Sequence, residues 1–157
     1  MKLHGKKIDP ATETLVLPRA TGDLVFIATA VPSYENFEKL CPHPVPPTIK
    51  RPGEVDAQDT TDKAYVKAIN LWAEYRTAWM IIESLKATPG LEWETITENT
   101  PASWPNFQKE LESSGLSSNE VMRVINIVLD ANGLNEKKIE AATKNFLAGA
   151  AAKLAKA

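Results

Sequence analysis

The sequence predicts an α+β fold: a small N-terminal antiparallel β-sheet, a proline-rich connector and a C-terminal helical bundle of about four helices. Three observations carry that prediction. The β-branched and aromatic runs of strand type fall within residues 1–31, and such runs favour a pleated, half-buried surface. Pro42, Pro44, Pro46, Pro47 and Pro52 crowd residues 41–53, where they deny both helix and ladder. Beyond residue 61 the apolar residues recur at spacings of three and four, the period of a helix with a buried face. The chain then divides into a β region over residues 1–31, a short helix with a proline-rich and acidic linker over 32–58, and a helical domain over 59–157 with a frayed C-terminal tail.

Within residues 1–31, Gly5 turns the chain between two short extended pieces. Residues 13–17 (ETLVL) form a strand that Pro18 ends, since proline cannot donate to a ladder. Thr21-Gly22-Asp23 makes a turn into the best strand of the protein, residues 24–31. Ser33 caps a short helix through Leu40, with Tyr34, Phe37 and Leu40 three apart. The connector is extended and polyproline-like. Glu54, Asp56, Asp59 and Asp62 then follow with little apolar content. Together these pieces read as a linker longer than about 15 residues, a length uncommon inside a compact domain and one that tends to be functional or mobile.

Residues 61–87 form a long helix with two apolar stripes. Ala68, Leu71, Tyr75, Ala78, Ile82 and Leu85 make one. Tyr65, Ile69, Trp72 and Trp79 make the other, interrupted by Arg76. A stripe of about 100° docks a helix on a core, and this helix is apolar over a wider arc. It is either the central helix of a bundle or it offers the second stripe to another chain. On the second reading Tyr65, Ile69, Trp72, Arg76 and Trp79 bind a partner, tryptophan and arginine being enriched in binding hot spots. Arg76 argues against a wholly internal stripe, because an unpaired buried charge costs several kcal/mol. A salt bridge to Glu83 or Glu94, or a guanidinium reaching to water, would relieve it.

Pro89-Gly90 stops the long helix. Residues 91–96 place Leu91, Trp93 and Thr95 on one side if extended. Thr100-Pro101 opens the next helix, with Trp104, Phe107 and Leu111 as its apolar face and Gly115 as its end. Trp93 and Trp104 read as core. Ser117 with Glu120 makes a capping box, and Leu116 with Val121 a hydrophobic staple. Val121, Val124, Ile125 and Val128 face a core, and Asn132-Gly133 ends that helix. Leu134, Asn135 and Ile139 repeat the staple and cap, and Ile139, Ala142 and Phe146 carry the last face. These two helices predict an αα-hairpin. The terminal AGAAAKLAKA has helix propensity but little to bury, so it frays or orders on a partner.

Little in the sequence speaks of chemistry. A formal net charge of −2 gives no electrostatic footing for nucleic acid. The basic tail (Lys137, Lys138, Lys144, Lys153 and Lys156) reads as a solvated helix end. Cys41 is the single cysteine, which fits a reducing compartment. The start lacks the apolar core of a signal peptide, and no apolar run reaches the roughly 20 residues that span a bilayer. Cys41 and His43 sit two apart in a proline-locked stretch, so their side chains diverge where a thiolate–imidazole pair must meet. No zinc ligand spacing, calcium loop or glycine-rich phosphate loop is present. Glu92 and Glu94 flank Trp93 as a solvated face, and the PxxP from Pro44 to Pro47 is a stiff spacer. The expectation is a non-enzymatic protein without catalytic, cofactor-binding or metal-binding residues.

The order of motifs carries a resemblance: PVPPTIKRPG, then AYVKAINLWAEYR, LEWETI, PASWPNFQKELESSGLSSNEVMRVINIVLDANGL and KNFLAG. Over about residues 15–149 this resembles small proteins of the tail modules of tailed bacteriophages, most often assigned as tail assembly chaperones. The resemblance implies a non-enzymatic role in the host cell cytoplasm, keeping the long helical tape measure protein, or another tail protein, soluble during tail assembly. It implies no cofactor, no nucleic acid and no membrane, and it allows a homo-oligomer. It assigns no binding residue. The second reading is a virion structural subunit (a decoration, connector or tail component). The third is an enzyme or small-molecule binder whose motif is not visible.

Overall fold

The computed structural model describes Met1–Lys156. The fold is α+β, with a small antiparallel sheet near the N-terminus and a helical C-terminal region. The chain forms two compact units: Met1–Val31, Ser84–Leu91 and the chain from Ser118 onward make one, Pro32–Glu83 and Glu92–Ser117 the other. The helices are therefore shared between two units, and the division cuts across boundaries drawn along the chain.

In the first unit, His4 and Gly5 both have positive φ and join the short bridge between Leu3 and Lys6, the backbone of a tight hairpin turn. β1 (Thr12–Leu17) pairs antiparallel with β2 (Leu24–Thr29), setting Leu15 opposite Phe26 and Leu17 opposite Leu24. Alternation places Leu17 and Ala28 on the buried face, while Val16 and Val25 stay exposed. Two strands cannot hold alone in water. Helix α4 (Ser118–Ala131) supplies the cover: it packs across both strands and buries Val121, Val124 and Val128 at helical spacing. This requirement explains why a segment more than 80 residues downstream belongs with the hairpin.

Two polar side chains lock that unit. Thr88 Oγ1 accepts from Ile27 N at 2.9 Å and donates to Ile27 O at 2.8 Å, so it closes the outer edge of β2 at that residue. Asn132 Oδ1 accepts from Val31 N at 2.9 Å, and its Nδ2 donates to Ser84 Oγ and to Val128 O, each at 2.8 Å. Gly133, with a φ of 68°, turns the chain out of α4. Asn135 then caps α5 (Glu136–Ala155), accepting from Lys138 N.

Helix α5 departs from two expectations. It does not lie back along α4 as an αα-hairpin, and it buries no residue. Ile139, Ala142 and Phe146 face solvent rather than a core. The helix runs to Ala155, as the strong helix propensity of an alanine-rich segment favours.

The second unit contains α1 (Glu35–Leu40), most of α2 (Lys63–Leu85), and a 3-10 turn at Pro101–Asn106 that runs into α3 (Phe107–Ser113). The stretch expected to be a linker is tied down instead. β3 (Thr48–Ile49) pairs with β4 (Ala57–Gln58), and Asp59 N donates to Pro47 O at 2.8 Å. Proline excludes a long ladder, but Thr48 and Ile49 are free of it and can pair. Asp62 caps α2 by accepting from Tyr65 N at 2.9 Å. Residues 91–96 form no strand; they turn instead, and the backbone N–H groups of Glu94 and Thr95 donate to the Glu110 carboxylate. Of the two tryptophans expected in the core, Trp104 is buried and Trp93 only half-buried.

Candidate partner-binding surface

The two halves of α2 differ in kind. From Ala78 to Leu85 every residue except Glu83 is buried, so the helix is covered all round. From Lys63 to Thr77 none is buried. That first half nevertheless carries Tyr65, Val66, Ile69, Leu71, Trp72 and Tyr75. Polar residues mark the difference in the sequence: Lys63, Lys67, Asn70, Glu74, Arg76 and Thr77 fall in the first half, only Glu83 and Ser84 in the stretch that is covered.

The footing of the first half is aromatic. Phe37, fully buried on α1, lies 5.6 Å from Trp72, 5.9 Å from Trp79 and 6.0 Å from Trp104 between ring centroids. These are separations at which tilted rings attract. Tyr34 meets Trp79 at 5.4 Å, and Tyr75 meets Trp104 edge-on at 6.3 Å. Trp104 Nε1 donates to Thr97 O at 3.1 Å, which satisfies its one polar atom.

The second stripe proposed from the sequence is thus placed as follows. Tyr65, Ile69 and Trp72 are half-buried, and Arg76 is exposed. Trp79 is 6% exposed and belongs to the core, which corrects its assignment as a contact residue. The Arg76 guanidinium lies over the Tyr34 ring at 3.9 Å from its centroid and over the Trp72 ring at 5.9 Å. The charge therefore sits at the surface on ring faces, an arrangement worth about 0.5–1 kcal/mol at an exposed site. The first stripe is corrected too: Ala68 and Leu71, expected in the core, are exposed, Leu71 at 44%.

Cys41 and His43 both serve Trp72. Trp72 Nε1 donates to the Cys41 carbonyl at 3.1 Å, and the His43 ring stands edge-on to the indole at 4.6 Å. His43 Nδ1 is 2.8 Å from the Pro44 carbonyl. Burial pushes the Cys41 thiol up, away from the reactive thiolate. Among the described residues no hydrogen bond joins Cys41 to His43, and no three His, Cys, Asp or Glu side chains gather as metal ligands would.

Glu110 is a carboxylate held by several hydrogen bonds. It accepts from Glu94 N at 2.9 Å, from Thr95 N at 2.6 Å, and from Thr95 Oγ1. Partial burial pushes its carboxyl up, but these hydrogen bonds outweigh that and hold it below its usual value. The group is saturated by the loop it organises, so its role is structural.

In the first unit, the surface that stands out is α5, whose Ile139, Phe146, Leu147 and Leu154 are exposed. The sequence places Ile139 and Phe146 on an apolar face and Leu154 in the terminal AGAAAKLAKA, and assigns Leu147 to neither. Among the described residues no helix is long and apolar enough to cross a membrane. Comparison with known proteins brings no match: no family model fits the chain, and no curated protein or solved structure matches it.

Proposed function

We propose that the protein is a non-enzymatic tail assembly chaperone of a tailed bacteriophage, acting in the host cytoplasm and holding a long helical tape measure protein until the tail tube forms around it. One observation supports this most: the first half of α2 buries none of its residues while carrying six large apolar or aromatic ones. The order of motifs along the chain adds to it. A client helix would lie along Val66 and Leu71, over the half-buried edges of Tyr65, Ile69 and Trp72. Lys63, Lys67, Glu74 and Arg76 would form a charged rim that keeps the empty surface from self-association.

The test is co-expression with the long helical protein encoded in the same tail module. The chaperone reading expects the client to stay soluble and to co-purify with the wild-type chain. Leu71→Asp abolishes that without disturbing the fold, since Leu71 is exposed. Purified virions lack the protein. A fixed copy number in virions supports the structural-subunit reading instead, and a client held equally well by Leu71→Asp removes the α2 surface from the account.

A further inference from the structure

Helix α5 is 20 residues long and has no buried residue. At 1.5 Å per residue it extends roughly 30 Å. A lone helix gains most of its stability from packing an apolar face, and this one presents Ile139, Phe146, Leu147 and Leu154 at 49%, 74%, 59% and 78% exposure. The spacing of that face is symmetric about the Phe146–Leu147 peptide bond. Thr143 lies three residues before Phe146, and Ala150 three after Leu147. Ile139 lies seven before, and Leu154 seven after.

We propose that α5 is a dimerisation element, and that its face is covered by α5 of a second copy of this chain running antiparallel. In that register every layer of the seam matches: Ile139 meets the second copy's Leu154, Thr143 meets its Ala150, and Phe146 meets its Leu147. The two-fold operation repeats each contact, which is the self-complementarity a closed dimer requires. Small residues, Ala142 and Ala151, flank the seam and let the helices approach. Helical spacing turns Lys137, Lys138, Lys144 and Lys156 away from the seam, so like charges do not oppose there. Antiparallel packing also opposes the helix dipoles. It attaches the rest of each chain at opposite ends of the pair. Covering these side chains on both copies hides on the order of 1,000 Å², the lower bound for a specific interface. The pairing uses neither α2 nor a client, so it stands whether or not the chaperone reading does.

Sedimentation equilibrium of the full chain tests it, with cross-linking to fix the direction. The expected result is a concentration-dependent monomer–dimer equilibrium that Leu147→Asp weakens at least tenfold. In a Cys41→Ser background, a Thr143→Cys chain mixed with an Ala150→Cys chain forms a disulfide-linked heterodimer on oxidation, and neither chain links to itself. The client-solubility assay with Leu147→Asp separates the two readings, since a monomer that still holds the client leaves the α2 surface intact. A chain that stays monomeric to about 1 mM, a dimer indifferent to Leu147→Asp, or Thr143→Cys chains that link to each other overturns the proposal.

Discussion

Replacing Phe37 with alanine removes the ring around which the aromatic footing of α2 is assembled. Phe37 is fully buried, so the substitution loses the transfer free energy of the ring and leaves a cavity. Deletions of this kind cost about 3–5 kcal/mol. Three ring contacts go with it, to Trp72, Trp79 and Trp104, and such pairs add ~0.5–1.5 kcal/mol each beyond area, with overlap between them. The upper part of the range, about 4–5 kcal/mol, is therefore expected, much of the ~5–15 kcal/mol that holds an ordinary domain together. Urea unfolding followed by tryptophan fluorescence reads it, because Trp72, Trp79, Trp93 and Trp104 all lie in the second unit. With a slope of ~2 kcal/mol per molar urea, the midpoint falls by about 2 M. Far-UV circular dichroism, which sees both units, reports whether the first unfolds with it. Phe37→Leu keeps an apolar filler and loses much less. A loss below about 1.5 kcal/mol for Phe37→Ala would refute the close-packed cluster, because the cavity and lost contacts together cannot cost so little.

Thr88→Val keeps the shape of the side chain but strands the N–H and C=O of Ile27; it should cost about 1–3 kcal/mol and raise the exchange rate of the Ile27 amide, whereas Thr88→Ser retains most of both bonds. Asn132→Ala breaks three hydrogen bonds at once, and a loss of about 2 kcal/mol or more in thermal or urea melts is expected for buried partners left unpaired. Glu110 is held below its usual carboxyl value of 4.5, so its contribution is present above that pH and is lost as pH falls through the lower, folded-state value. Glu110→Gln should therefore flatten the acid limb of stability against pH, and an acid limb unchanged by the substitution would show that the carboxylate does not organise the 94–95 loop.

The local elements were legible because their signals are local. Pro18, the Thr21-Gly22 turn and the β-branched run from Leu24 place the hairpin to within two residues. Gly90 and Gly133 take the positive φ of a chain reversal, Gly133 two residues past the end of α4 and Gly90 five past the end of α2 at Leu85. Valines at 121, 124 and 128 point to one face of α4 whatever that face meets. All of this follows from dihedral preference and side-chain period, which a residue carries with it.

What covers each face is a different kind of fact. The period of α2 cannot say that it is enclosed after Ala78 and open before it, since coverage depends on segments elsewhere in the chain. Trp79 and Leu71 exchange their expected roles for that reason: one is reached by Tyr34 and Phe37, the other is left exposed. The proline-rich stretch is pinned by a two-residue pairing with a strand eight residues on, too short to leave a pattern. The apolar face of α5 was visible in part, but only the folded chain shows that, among the described residues, none of that helix is buried. Sequence by itself determined which residues form helices, strands and stops, because those preferences act over a few bonds. Tertiary structure alone decided which apolar faces became core and which stayed open, because burial is a property of two surfaces and each segment encodes only one.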